Sequence, residues 1–183
     1  MQDGISDNLL MESTATGDAR AFRMLVVRHL PRAHAIARQM LYSQQDAEEA
    51  AQDAFCKVWT HALRFDPARA KFTTWFYRIL ANTCLDMMRR KPSPQISLSG
   101  LEEVMQDTGE NQDAKIISLQ KKEQIRQAMH FLPERQRMAV VLCYFEEMSN
   151  PQAAAVMGMH IKALEGLLTR ARKQLRERLG EAR

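Results

Sequence analysis

Two stretches of this 183-residue chain carry side chains suited to handling a polyanion. In the first, Phe72, Trp75 and Phe76, followed by Ile79, Leu80 and Thr83, have the spacing of a helix core face. Tyr77, Arg78, Asn82, Asp86 and Arg89 lie off that stripe. Cations track phosphates, rings stack on unpaired bases, and an asparagine amide reads an exposed base edge, so a polar and basic face beside aromatic rings suits single-stranded DNA. The second stretch has a short helical segment at Asn150 to Val156, a Met157-Gly158-Met159 turn, and a longer basic helix from His160. These are the ingredients of a helix-turn-helix reader of duplex DNA. Ala153, Ala154 and Ala155 allow the two helices to approach, and Leu164, Leu168, Ala171, Leu175 and Leu179 form the expected buried face. Lys162, Gly166, Thr169, Arg170 and Lys173 are left facing outward, where early residues meet base edges and later cations meet phosphates. A plain helical hairpin would share the glycine turn; the basic enrichment of one outward face favours the DNA reader.

Other chemistries find no constellation. His29, His34, His61, His130 and His160 are scattered, with no metal-binding HExxH, no nucleophile elbow and no phosphate loop. Cys56, Cys84 and Cys143 are odd in number and far apart, which offers neither a disulfide framework nor a CxxC zinc site. Cys56 and Cys143 sit among apolar neighbours and are expected to fill cores. No catalytic residue, metal site or cofactor is predicted, so the chain is expected not to be an enzyme. A reducing cytoplasm suits this cysteine usage. Met1 to Leu10 carries Asp3 and Asp7 and no basic residue, unlike a secretory signal, and no apolar run is long enough to insert in a membrane.

The elements that must hold these residues read as helices throughout, with no period-two strand. Ser6 or Asp7 caps a first helix that Gly17 ends; a second follows Asp18, with Pro31 expected to kink or break it. A third starts near Asp46 with Ala47, Ala51, Phe55, Val58 and Ala62 on one face and Glu49, Gln52, Asp53 and Lys57 on the other. A fourth runs from Phe72 to Arg90. Helices resume from Ala114 to Phe131, from Pro133 to near Met148, and from Ser149-Asn150-Pro151, a cap followed by proline at the helix start. The net charge of +4 is unevenly spread: from Pro92 to Ala114 every charged side chain is acidic (Glu102, Glu103, Asp107, Glu110 and Asp113), while Lys162 to Arg183 holds seven basic residues against three acidic ones. The chain therefore reads as all-α, with an N-terminal helical domain at 1–91, a flexible acidic linker at 92–113, and a C-terminal helix-turn-helix domain at 114–183.

Taken in order, Asp18-Ala19-Arg20-Ala21-Phe22, Asp46-Ala47-Glu48 through Trp59, Asp66 to Arg90, Leu132-Pro133-Glu134-Arg135-Gln136-Arg137, Ser149 to Gly158, and Arg170-Ala171-Arg172 resemble the sigma factors of bacterial RNA polymerase. The resemblance is to the small extracytoplasmic-function group and covers nearly the whole chain. It implies a subunit that directs core polymerase to a two-part promoter and starts transcription. Asp46, Glu49, Gln52 and Asp53 would meet the polymerase clamp. Arg64, Lys71, Tyr77, Arg78, Asn82 and Arg89 would capture the melted minus-ten element, with Asn82 reading a base and Lys71, Arg78 and Arg89 on phosphates. Lys162, Glu165, Gly166, Thr169, Arg170 and Lys173 would read the minus-thirty-five element.

One departure stands out. Where the family often shows a basic residue, a serine and an arginine in mid-recognition helix, this chain has Glu165, Gly166 and Leu167. Glutamate accepts from a cytosine amino group and repels phosphate, so the upstream preference is expected to shift. The implied partners are core polymerase (clamp and flap regions), promoter DNA and an anti-sigma protein, commonly membrane-anchored. The acidic linker strip reads either as a polyanion mimic lying along the polymerase's basic nucleic-acid path or as a plain solvated tether. The alternative is a stand-alone helix-turn-helix regulator, which leaves the Asp46 to Arg90 block unexplained and lacks a heptad seam for dimerisation.

Overall fold

The computed structural model describes residues 4–90 and 124–181. The expected acidic linker at 92–113, and the expected start of a helix at Ala114, lie outside the described residues. Among those residues all regular structure is helical. α1 (Asp7–Ala15), α2 (Ala19–Leu41), α3 (Gln44–Thr60) and α4 (Phe72–Arg90) make up the N-terminal unit, with a short 3-10 turn at Ala62–Arg64. The C-terminal unit contains α5 (124–130), α6 (Glu134–Val140), α7 (Asn150–Met157) and α8 (Ile161–Glu181).

Local chemistry fixes the helix starts. Ser6 accepts from the Leu9 amide at 3.3 Å, Asp18 from the amides of Arg20 and Ala21 at 2.7 and 3.2 Å, and Ser43 from the Asp46 amide at 3.2 Å. Each satisfies an amide that no helical carbonyl can reach, a contribution of about 1 kcal/mol. At α7 the Gln152 carboxamide oxygen reaches back to the Ser149 amide and hydroxyl, both at 2.9 Å, the reciprocal half of a capping box.

The expected break at Pro31 is not found: α2 runs through it. Pro31 faces solvent and removes one hydrogen bond only, while Leu25, Ala33, Ile36, Ala37 and Met40 keep one apolar stripe buried on both sides of it. The helix expected from Pro133 to Met148 is also corrected. Regular α-helix ends at Val140 and gives way to a π-helical turn at Val141–Phe145, closed by the Glu146 amide on the Val141 carbonyl at 3.0 Å. The extra residue in that turn rotates the chain beyond it and sends Glu146 toward α2.

The core of the N-terminal unit is aromatic where α2, α3 and α4 meet. Phe72 and Phe76 stack with centroids 5.7 Å apart, and Phe55 lies 4.6 Å from Phe76. Full burial of such rings contributes about 2–3 kcal/mol each. The two units share one continuous core: α4 packs on α7, and Leu80, Met138, Leu142 and Leu164 are all completely buried. On α8 the buried face stops at Ala171; Leu175 is half-buried and Leu179 exposed, because among the described residues no helix reaches the far end of α8 to cover them.

Candidate nucleic-acid interface

Lys71, Arg78, Asn82 and Arg89 are spaced seven, four and seven residues apart at the start of and along α4. At about 100° per residue this places them in one longitudinal stripe about 40° wide. Their side chains are on the exposed side of α4, opposite Phe72, Phe76 and Leu80. Arg89 pairs with Asp86 one turn back. Arg64 is exposed at the end of the 3-10 turn.

Tyr77 differs from the rest of its expected set. It falls about 100° away from the stripe and is only 4% exposed. Its ring lies 5.5 Å from the Arg32 guanidinium, and its hydroxyl is 3.5 Å from His29 Nδ1. Burial pushes its pKa up to about 12, with nearby Arg32 working against the shift. In this arrangement Tyr77 offers no ring for a base to stack on. Arg78 is exposed along its stem, but its guanidinium lies against Gly158 of the C-terminal unit, where a Cβ would sit 2.9 Å from Nη2.

In the C-terminal unit, α7, the Gly158 turn and α8 form the helix-turn-helix. Gly158 closes α7 at φ 62°, and its amide bonds to the Ala155 carbonyl at 3.2 Å. A residue with a Cβ is disfavoured there, so the glycine is a conformational requirement. Lys162, Glu165, Gly166, Thr169, Arg170 and Lys173 follow the i, i+3, i+4, i+7, i+8, i+11 progression of a single helix face. All are exposed except Gly166, which is half-covered by the Arg170 guanidinium at 3.5 Å from where its Cβ would be. The Thr169 hydroxyl donates to the Glu165 carbonyl at 2.9 Å. Ile161, 43% exposed at the head of α8, was missed; its apolar type hid it among core candidates.

Asp46, Glu49, Gln52 and Asp53 share the outer side of α3 over an arc of about 120°. Glu49, Gln52 and Asp53 are exposed, and Asp46 is half-buried. The arc does not form one patch. Gln52 lines an apolar groove of about 950 Å³ between α2 and α3, walled by Phe22, Val26, Leu30, Phe55 and Trp59. Asp46 lines a different cleft of about 510 Å³, facing Met87, His130 and Arg137. Cys56, expected in the core, is exposed at the groove, while Cys84 is the buried cysteine and Cys143 is half-buried. Burial pushes the Cys84 thiol up to about 12, so it is inert. Among the described residues no cluster of histidine, cysteine and carboxylate side chains could hold a metal ion, and no helix is long and apolar enough to cross a membrane.

Sequence reasoning also missed the polar joints between the two units. Arg32 donates through Nε to the Glu146 carboxylate at 2.6 Å and through Nη2 to the Glu146 carbonyl at 2.7 Å. Arg137, 5% exposed, donates to the carbonyls of Met40, Met129 and Leu132 at 3.0, 3.1 and 3.4 Å, and also to that of His130. It sits 5.0 Å from the Tyr42 ring centroid. One guanidinium thus satisfies carbonyls at the C-terminal ends of α2 and α5, where helix dipoles favour a cation.

The models for sigma-70 region 2 and sigma-70 region 4 match residues 25–92 and 122–175. The chain is 33% identical over 181 residues to the RNA polymerase sigma factor CnrH of Cupriavidus metallidurans, covering 93% of this chain and 92% of that one. It is 32% identical over 178 residues to the ECF RNA polymerase sigma factor SigM of Mycobacterium tuberculosis, covering 96% and 85%. The solved structure of CnrH in complex with the cytosolic domain of CnrY is similar with a TM-score of 0.70 at 29% identity, covering 96% of this chain and 97% of that one.

Proposed function

Because the chain belongs to the extracytoplasmic-function group of RNA polymerase sigma factors, we propose that its two units divide the work of directing core polymerase to promoters. The N-terminal unit docks on the polymerase clamp through the outer side of α3 and holds the melted minus-ten strand on the α4 stripe. Asn82 reads a flipped base, and Lys71, Arg78, Arg89 and Arg64 hold phosphates. Unstacking costs a few kcal/mol per base, which base hydrogen bonds and phosphate contacts offset. The C-terminal unit inserts α8 into the major groove of the minus-thirty-five element, with Lys162 and Glu165 near base edges and Arg170 and Lys173 on phosphates. The polymerase flap region meets the cleft between Tyr144 and the far end of α8, lined by Arg172, Leu175 and Arg176.

The observation that carries this reading is the single six-position face on α8 directly after a glycine-closed turn. The chain acts by binding and catalyses no reaction of its own, and it works in the cytoplasm where polymerase is found. An anti-sigma protein, membrane-anchored in our reading, holds it inactive; the similarity to CnrH, solved with the cytosolic domain of CnrY, supports that partner. Gel filtration with core polymerase, followed by transcription from a pool of candidate promoters, tests the proposal. Co-elution and new start sites are expected. Tight duplex binding without co-elution would instead make it a stand-alone regulator.

A further inference from the structure

The start of α4 is built unlike the others in its unit. Ser6, Asp18 and Ser43 cap α1, α2 and α3 from the position just before each helix. At α4 that position is Lys71. Its carbonyl accepts the first helical bond, from the Trp75 amide at 3.2 Å, but its ammonium can only donate. The missing acceptor comes from the far end of the unit's sequence: Asn8, in the first turn of α1, takes the Phe72 amide on Oδ1 at 2.9 Å. Phe72 is fully buried, so without Asn8 that amide would have neither a helical carbonyl nor water to bond.

The residue beside Asn8 anchors the same turn of α1 to α2. The Asp7 carboxylate lies 2.9 Å from His29 Nε2 and also accepts from Arg28, which donates in turn to the Ile5 carbonyl at 3.1 Å. The His29 ring is 5.3 Å from that of Phe72. Asp7, through His29, and Asn8 directly thus hold the ring and the amide of one residue from two sides. α1 packs as well on the 3-10 turn that ends at Arg64, so it grips both ends of the loop 65–71. Between those ends the loop is braced by Asp66. Its carboxylate accepts from the Ala68 amide at 3.0 Å, and its carbonyl from the amides of Arg69 and Ala70 at 3.1 and 3.3 Å. Phe65, 5.4 Å from Trp75, ties the loop to the first turn of α4.

We propose that Asn8 is a positioning residue for the minus-ten element, a role that rests on the sigma-factor reading of the α4 stripe. By capping α4 from α1 it fixes where the helix begins, and so where Lys71 and the loop from Arg64 stand relative to Asn82. It acts through those residues rather than by touching DNA. Without the acceptor the first turn of α4 frays, and Lys71 leaves the line it shares with Arg78, Asn82 and Arg89. A strand held at several points along the helix then loses its contacts at one end. A cap of this kind shifts the balance between formed and frayed turn by about fivefold.

The test compares the full-length chain with two variants. Asn8→Ala removes the acceptor while placing a strong helix former in α1, and Asn8→Asp keeps an acceptor and adds a charge suited to a helix N-terminus. Amide hydrogen exchange at Phe72 and Trp75 reads the cap. Permanganate reactivity of the melted bases reads strand opening at a promoter drawn from the candidate pool, and gel filtration reads docking on core polymerase. Asn8→Ala is expected to speed both exchanges about fivefold and to lower opening about threefold to fivefold, with co-elution unchanged. Asn8→Asp is expected to restore exchange and opening together. Undiminished opening in Asn8→Ala would overturn the positioning role, as would an aspartate variant no better than the alanine one. Co-elution lost in step with opening would overturn it too, by marking a general loss of stability. The unaltered chain is read separately: if it neither co-elutes nor opens a promoter, the sigma-factor reading fails and the role of Asn8 with it, whereas equal opening with and without Asn8 removes that role alone.

Discussion

Replacing Gly158 by alanine perturbs two things at once, and the structure separates them. The residue sits at φ 62°, a left-handed conformation that costs an L-residue about 1–2 kcal/mol. The new Cβ would also approach Arg78 Nη2 to 2.9 Å. The clash involves the far end of a flexible side chain, which shifts at little cost, so nearly the whole penalty comes from the backbone. We expect Gly158→Ala to destabilise the chain by about 1 kcal/mol, a fall in melting temperature of about 2–4 °C for a protein of this size. Differential scanning calorimetry is the suitable assay, because Trp59 and Trp75 both lie in the N-terminal unit and fluorescence would report that unit preferentially. Gly158→Asn is expected to cost less than the alanine, since asparagine tolerates the left-handed region better. The decisive comparison is Gly158→Ala in an Arg78→Ala background. If backbone conformation dominates, the penalty persists to within about 0.5 kcal/mol. Full rescue by Arg78→Ala would show that the contact, not φ, is what the glycine serves, and would refute the reasoning.

Three further outcomes are expected. Asn82→Ala should impair strand opening at the minus-ten element, read by permanganate footprinting of the melted bases, while leaving co-elution with core polymerase intact; equal loss of both would remove Asn82 from base reading. Lys173→Ala should weaken polymerase-dependent promoter binding evenly across upstream sequences and lower its salt slope by about 1, whereas Glu165→Ser should change which upstream bases are selected, by about 1–3 kcal/mol at one position, in a selection from randomised promoters. His29 is buried against Phe72 and Phe76, and burial holds its pKa below the ordinary 6.5 despite the opposing pull of Asp7. The unfolded chain therefore binds the proton more readily, and stability falls as pH drops through 6.5 until the folded-state value is passed. Urea unfolding midpoints at pH 7.5 and 5.5 should show this loss, and His29→Gln should reduce it; an unchanged pH dependence in that variant would place its origin elsewhere.

What could be read from the sequence was whatever a single helix decides for itself. The α8 face needs only the 3.6-residue period, and the Ser149-Asn150-Pro151 start and the Gly158 stop are local chemistry, so each was legible. Pro31 misled because its cost is local while the stripe that overrules it, from Leu25 to Met40, is set by packing against other helices. Tyr77 was misread for a related reason. Its angular position is correctly off the α4 core stripe, but Arg32 of α2 and the Glu146 loop of the second unit come over it, and no periodicity within α4 contains that information. The expected burial of Leu179 failed in the opposite sense: the period continues along α8 beyond the described residues that cover it. The π-helical turn left no mark, since Val141 to Phe145 has the composition of an ordinary buried helix.

The shared guanidinium of Arg137 bears on how the chain can be divided. Cutting it into separate halves would leave the Met40 carbonyl at the end of α2 without its donor and expose the Tyr42 ring face that the cation now covers. Each fragment would then melt at a temperature that belongs to the fragment alone. Dissecting the two halves to assign their separate thermodynamics would thus measure molecules altered at the end of α2, and intact chains carrying point changes are the sounder route to the same numbers.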